Sequence, residues 1–258
     1  CSVKSLVTYT VAVVMWVVTG ASGFLGTNAG FFLSKRTPVV GFARQSHGAG
    51  YYTKIINLDL RETVKISTLI KEIRPAVILH GAAIAGHETA ANDPKQAYAV
   101  NVAATRELAQ SAAEIGARLI YISTDALFAG NKGNYSETDP VEPFSIYGET
   151  KLEGEIQVRK ATDNHVVVRT NFFGWSDTGQ KSILEFFLQS LRSNNPTKGY
   201  PDFVVTSLYV QDLLETIWEL NETGANGTFN VASSDALSKY DFGVTVAESF
   251  GLDSSLIS

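Results

Sequence analysis

The chain has 258 residues, 45% of them hydrophobic, and a formal net charge of −5. That is enough apolar material to bury a sizeable core as one domain with at most a small appendage, and no basic block supplies the phosphate-neutralising footprint of a nucleic-acid binder. The single cysteine, Cys1, excludes an internal disulfide framework and a cysteine-cluster metal site, and His47, His80, His87 and His165 lack metal-ligand spacing, so no metal is expected and a cytoplasmic location suits the composition.

The first stretch, "CSVKSLVTYTVAVVMWVV", faintly resembles a signal peptide. Because it runs directly into a glycine turn, cleavage there would remove the first strand, and with Thr8 and Thr10 inside it the run is too short and interrupted to span a bilayer; no membrane partner is expected. Met15 is the only methionine, and a start at that residue would leave residues 1–14 as an upstream extension.

A strand is expected over "AVVMWVV", then the turn "TGASGFLG", and a helix near Leu25 to Ser34. Gly20, Gly23 and Gly26 thus stand between a strand and a helix, where a glycine turn lets backbone approach a pyrophosphate at the helix N-terminus. Their spacing is G-x-x-G-x-x-G, and by itself it also fits a tight packing turn. Strands follow at "PVVGF", "KIINL" and "AVILH", with a helix near Val64 to Ile73 between the last two. A helix from about Pro94 to Ile115, the strand "RLIYIS", a loop to about Pro143, a helix to about Lys160 and the strand "HVVVRT" complete a strand–helix alternation that predicts βαβ units and a parallel sheet. After residue 170 the order loosens: a helix near Ile183 to Leu191, the polar loop "RSNNPTKGYPD", a helix near Val210 to Leu220, the strand "GTFNVA" and a helix near Lys239 to Phe250.

A second constellation lies in "YISTDALFAGNKGNYSETDPVEPFSIYGETKLEGE". Ser123 and Thr124 close a strand, and Tyr147 and Lys151, four apart, share a helix face. A phenol titrates near ~10, and a neighbouring ammonium lowers that value by favouring the phenolate. The same pair also fits an amphipathic core tyrosine beside a solvated lysine.

Taken in order, the glycine turn, the strand-end Ser/Thr and the Tyr/Lys pair resemble the extended short-chain dehydrogenase/reductase family from about Val11 to the end of the chain. Within it, "STDALFAG…GNYSETDPVEPFSIYGETKLEGE" and "DPKQAYAVNVAATRELA" are similar to the dTDP-4-dehydrorhamnose reductase family. The resemblance implies a doubly wound, Rossmann-like α/β fold, with a dinucleotide-binding domain over 11–170 and a smaller, mainly substrate-binding lobe over 171–258. It implies NAD(P)H-dependent reduction of a nucleotide-linked 4-keto-6-deoxy sugar, with Thr124, Tyr147 and Lys151 as the catalytic triad. Tyr147 would protonate the ketone oxygen, Thr124 would hydrogen-bond it, and Lys151 would lower the tyrosine pKa and hold the nicotinamide ribose. Ala126 after Asp125 replaces the glutamate of the related dehydratases, which favours reduction over loss of water.

For the cofactor, the family pattern carries over to Gly20, Ser22, Gly23, Phe24, Leu25 and Gly26 at the pyrophosphate, Asp59 and Leu60 at the adenine, and Gly81, Ala82 and Ala83 along the dinucleotide. An acidic ribose ligand is expected about twenty residues past the glycines in NAD enzymes; here that place reads "GFARQSHG", and Arg44 favours NADP(H) over NAD(H). His80 reads as a strand-end residue rather than a catalyst. Thr124, Asp125 and Asn171 would contact the substrate. Where the family has an acidic residue after the fourth strand, "IAGHETA" places Glu88, preceded by His87, and the choice of sugar and of base stays open. The family normally continues a few dozen residues beyond "GLDSSLIS", and a homodimer stays open. Two other readings remain: an NADP-binding regulatory subunit like the methionine adenosyltransferase β subunit, whose tail resembles "GTFNVASSDALSKYDFGVTVAESFGLDSSLI", or another nucleotide-sugar epimerase or reductase.

Overall fold

The computed structural model describes residues 14–45 and 50–258; Cys1, His47 and the expectations for 1–13, including the start of the first domain, lie outside them. The apolar runs form β1 (Trp16–Thr19), β2 (Val39–Ala43), β3 (Lys54–Asn57), β4 (Val77–His80), β5 (Arg118–Ile122) and β6 (His165–Thr170). Between them stand α1 (Phe24–Leu33), α2 (Thr63–Ile73), α3 (His87–Asn92), α4 (Pro94–Tyr98), α5 (Thr105–Ile115) and α6 (Ile146–Ala161). The remainder holds β7 (Phe172–Phe173), α7 (Ile183–Arg192), β8 (Val204–Val205), β9 (Leu208–Tyr209), α8 (Val210–Glu222), β10 (Gly227–Val231), β11 (Leu237–Ser238) and α9 (Lys239–Phe250).

Strands β1, β2, β4, β5 and β6 are buried at every residue, as parallel strands covered on both faces must be. They form one seven-stranded parallel sheet in the order β10-β6-β5-β4-β1-β2-β3. The chain winds one way from β1 through β2 to β3 and the other way from β4 onward, so the crevice at the strands' C-terminal ends opens beside β1 and β4. This is the doubly wound sheet that the alternation predicts. Its seventh strand comes from beyond residue 170, because Gly227–Val231 lies in register along Val166–Thr170.

Alternate residues of each strand serve opposite faces. On one side Trp16, Val18, Leu79, Ile120 and Val166 pack under α1 and α8, and Trp16 stacks on Trp218 with ring centroids 5.6 Å apart. On the other, Val17, Ile78, Leu119 and Val167 pack against Ile66 and Ile70 of α2 and Leu108 and Ala112 of α5. A third cluster, with Leu184, Phe187, Leu191, Phe242, Val246 and Ile257, gives α7, α9 and the last residues a small core of their own.

The helix expected over Pro94 to Ile115 is continuous but not uniform. Its middle, Ala99–Ala104, widens into a π-helical turn. Asn101 in that turn is drawn inward, accepting from the Ile84 amide at 2.8 Å and donating to the Ile84 carbonyl at 3.1 Å and to Thr150 Oγ1 at 3.0 Å. These long-range bonds offset the strain of a wider turn, a local feature that the apolar periodicity does not register.

His80 is fully buried: its Nδ1 lies 2.7 Å from Thr19 Oγ1 and its Nε2 lies 2.9 Å from Thr105 Oγ1, which ties β1 and β4 to α5. Burial, reinforced by the charge of Lys151, pushes its pKa down to about 3. The unfolded chain therefore takes up a proton below the ordinary histidine range of ~6.5 while the folded chain stays neutral, so stability falls as pH drops from there toward 3. The urea unfolding midpoint is expected to fall between pH 7 and pH 5, and by less in His80→Gln; an equal fall in both proteins would remove His80 as the cause.

Candidate active site

The glycine turn joins β1 to α1. Gly20 has φ of 72°, a left-handed conformation, and a Cβ there would stand 2.9 Å from the Ala82 Cα. At Gly26 a Cβ would stand 2.1 Å from the Gly20 carbonyl oxygen, so the first turn of the helix lies directly on the loop. Gly23 stands at the N-cap of α1, which has no side-chain cap and no acidic residue in its first turn. Uncapped amides at the positive end of a helix dipole are what a pyrophosphate needs, so these residues fit such a group without competition from a carboxylate. Gly81, Ala82 and Ala83 follow β4 beside the turn, with the Ala82 amide donating to Thr19 Oγ1 at 3.2 Å.

The far side of the crevice is more open. Arg44 is exposed just past β2. Asp59 and Leu60 lie beyond β3, which ends at Asn57, one residue short of the run "KIINL", rather than closing the strand as the family pattern has them. The Asp59 carboxylate is gripped by Arg61, with Nη2 at 2.6 Å and Nε at 3.0 Å from both oxygens, and this hydrogen bonding holds its pKa down at about 2. Arg61 is a partner that the sequence reading does not include.

Thr124, Asp125, Tyr147 and Asn171 come together although up to 47 residues separate them in the chain. Thr124 follows β5 in extended conformation and caps the short turn Asp125–Leu127, its Oγ1 accepting from the Ala126 amide at 3.1 Å. The same hydroxyl donates to Asp125 Oδ1 at 3.3 Å, Asn171 donates to Asp125 Oδ2 at 3.2 Å, and Ser207 donates to Asn171 Oδ1 at 2.7 Å. Tyr147 sits in the first turn of α6, whose cap Ser145 accepts from the Gly148 amide at 3.2 Å. Burial pushes the phenol up to about 12, with its hydrogen bond to Thr124 drawing it the other way and the charge of Asp125 adding to the rise.

Lys151 follows Tyr147 on the same helix. It is one turn along α6, as the four-residue spacing requires, and only 2% exposed; its Nζ donates to the Ile122 carbonyl at 2.6 Å and lies 4.0 Å from the centre of the Tyr121 ring. Its ammonium is thus held at the end of β5, and it is burial that raises the Tyr147 phenol. Burial depresses Lys151 itself to about 7, while Glu155 pulls in the opposite direction.

Glu155 is a buried carboxylate beside the site that the sequence reading misses. It is wholly buried one further turn along α6, where Ser123 Oγ donates at 2.6 Å, Arg169 donates at 3.0 and 2.8 Å, and Arg159 donates at 3.0 Å. Burial by itself would raise this carboxyl, yet Arg169 and Ser123 hold it below the usual range. The cluster locks the ends of β5 and β6, one residue before Thr124 and two before Asn171. His87 also flanks the site, its Nδ1 2.8 Å from Ser145 Oγ and its ring edge-on to Tyr147. Beyond Asn171 a cavity of about 560 Å³ is lined by Lys181, Lys198, Lys239, Tyr200 and Ser207. Those lysines stand on loops and helix ends without a local motif, and only the fold collects them.

Among the described residues no three His, Cys, Asp or Glu side chains gather to hold a metal ion, and no helix is long and apolar enough to cross a membrane.

Residues 14–258 match the family described as RmlD substrate binding domain. The chain is 28% identical to methionine adenosyltransferase 2 subunit beta of Xenopus tropicalis, over 93% of this chain and 73% of that protein. It is 29% identical to the probable low-salt glycan biosynthesis reductase Agl14 of Haloferax volcanii, over 93% of this chain and 81% of that one. Among solved structures it superposes on a dTDP-4-dehydrorhamnose reductase from Bacillus anthracis in complex with NADP with a TM-score of 0.82 and 25% identity, covering 93% of this chain and 81% of the other.

Proposed function

The chain belongs to the RmlD substrate binding domain family, and from that footing we propose that it is a nicotinamide-dependent reductase of a nucleotide-linked 4-keto-6-deoxy sugar, dTDP-4-dehydrorhamnose first among them. The observation that carries this reading is the linked set Tyr147, Thr124, Asp125 and Asn171, placed between an uncapped, acid-free glycine turn and a cavity bearing three lysines. A nicotinamide cofactor held on the 20–26 glycine turn would supply the hydride for the carbonyl carbon. The remaining work falls to the chain's own residues. Tyr147, held protonated by burial, gives its proton to the oxygen on which negative charge develops, and Thr124 orients that oxygen and the phenol together. Asp125 and Asn171 hold the sugar end of the substrate. Lys181, Lys198 and Lys239 offer the positive charge that a nucleoside diphosphate requires.

The test is the decrease of NADPH absorbance with purified protein over dTDP- and UDP-linked 4-keto sugars. Turnover of one of them supports the reading, and silence across the whole set removes it.

For the cofactor we propose a preference for NADP(H), resting on Arg44 at the exposed end of β2, where a 2′-phosphate would meet a guanidinium. Arg44→Asp is then expected to weaken NADPH binding at least tenfold more than NADH binding in a fluorescence titration. Equal losses for the two would take Arg44 out of this role.

One observation favours a second reading: the likeness to methionine adenosyltransferase 2 subunit beta extends over 93% of the chain. In that case the same fold serves as a dinucleotide-binding partner of a synthetase. NADPH binding without turnover of any keto sugar, together with stable association with a methionine adenosyltransferase catalytic subunit in gel filtration, would select it.

A further inference from the structure

Between β7 and α7 the chain crosses from the smaller lobe to the glycine turn. Asn28 of α1 donates to the Trp175 carbonyl at 3.0 Å and accepts from Gln211 of α8 at 2.9 Å. The crossing segment is fixed by one carboxylate, Glu185, which accepts from the Ser176 amide at 2.5 Å, the Ser176 hydroxyl at 2.8 Å, the Lys181 amide at 2.8 Å and the Ser182 amide at 3.2 Å. The backbone on either side of Lys181 is therefore held while its side chain, 31% exposed, is free to reach. That side chain lies in two places at once. It lines the cavity beyond Asn171, and its Nζ donates to the Ser22 carbonyl in the glycine turn at 3.1 Å and to Asp177 at 2.7 Å.

Two phosphate-bearing ligands bound side by side repel each other. Each would carry about two negative charges on its diphosphate, and in a crevice partly shielded from water that repulsion weakens the second to bind unless a cation lies between them. Lysine suits such a position because it is a compact charge on a flexible stem, able to exchange a carbonyl and a carboxylate for phosphate oxygens without moving the backbone.

We propose that Lys181 is a binding residue shared by the two ligands of this protein: it bridges a dinucleotide pyrophosphate on the Ser22–Gly26 turn and a nucleoside diphosphate in the cavity, so that each strengthens the binding of the other. The proposal rests on the function set out above. It adds a thermodynamic link that the catalytic residues do not supply, and linkage requires the effect to be reciprocal.

The experiment is a fluorescence titration of NADPH with and without saturating dTDP, and of dTDP by calorimetry with and without NADPH, in wild type, Lys181→Met and Lys181→Arg. Wild type is expected to bind each ligand about fivefold or more tightly in the presence of the other. Lys181→Met is expected to lose that factor or invert it, while Lys181→Arg keeps it. Unchanged urea unfolding of Lys181→Met, expected because only its side chain reaches the turn, separates the loss from misfolding. A wild type whose ligands bind independently, or a Lys181→Met with the wild-type factor, overturns the bridging role and leaves the reductase reading standing. A wild type that binds neither NADPH nor dTDP overturns the reductase reading itself and the bridge with it.

Discussion

Tyr147→Phe is expected to lower turnover of the keto sugar by roughly 10²–10⁴-fold, the usual contribution of a positioned general acid, while NADPH binding persists. The substitution keeps the aromatic ring, and with it the edge-on contact to His87, and removes only the hydroxyl that interacts with Thr124. Burial favours the neutral phenol, which is the form a proton donor must hold before hydride arrives, so the loss should fall on kcat rather than on KM. Progress curves at saturating NADPH, with the substrate varied, separate the two constants. Turnover unchanged in the variant would sink the assignment of Tyr147, and a rise in KM alone would recast it as a substrate-binding group.

Glu155→Ala is expected to produce the largest change in stability. Its carboxylate is wholly buried and receives Arg169, itself 6% exposed, through two nitrogens. Removing it leaves an uncompensated guanidinium and the Ser123 hydroxyl without a partner inside the protein. Breaking one side of a buried ion pair costs about 3–5 kcal/mol, whereas an exposed pair such as Lys71 and Glu114 is screened by water and contributes little. Chemical denaturation should therefore show a much lower midpoint for Glu155→Ala, with Glu155→Gln between it and wild type because the amide oxygen still accepts hydrogen bonds. Equal midpoints for Glu155→Ala and wild type would show that the cluster relaxes or admits water at no cost. Activity in Glu155→Gln gives a second reading of the same site, since Ser123 and Arg169 are the neighbours that fix Thr124 and Asn171.

Much of this molecule is legible in the chain read by itself. The runs "VVGF", "AVIL" and "VVV" are continuous rather than alternating in their apolar residues, as a strand buried on both faces requires, so a parallel sheet follows from local composition. The glycine turn is legible for a local reason too: Gly20 is left-handed and packed against Ala82, Gly26 lies on the Gly20 carbonyl, and with Gly23 the three stand within seven residues. Tyr147 and Lys151 are visible as a pair because four residues on a helix fix their common face.

The direction in which Lys151 acts is not local. Helical spacing places the ammonium beside α6, but whether it turns to the phenol or to the end of β5 depends on the Ile122 carbonyl and the Tyr121 ring, which a parallel pairing brings there from some thirty residues away. The same holds for Glu155. Its neighbour along the helix, Arg159, is readable, whereas Ser123 and Arg169 meet it only after β5 and β6 pair. The π-helical turn at Asn101 and the gathering of Lys181, Lys198 and Lys239 round one cavity are further cases in which distant segments determine the outcome.

The sequence by itself thus determined the strand–helix alternation, the glycine turn and the face shared by Tyr147 and Lys151, because each is governed by backbone sterics or periodicity within a few residues. Only the tertiary structure decided which charges are buried, which carboxylate meets which cation and which lysines face one cavity, because desolvation and Coulomb energy depend on what surrounds a group in space and not on what precedes it in the chain.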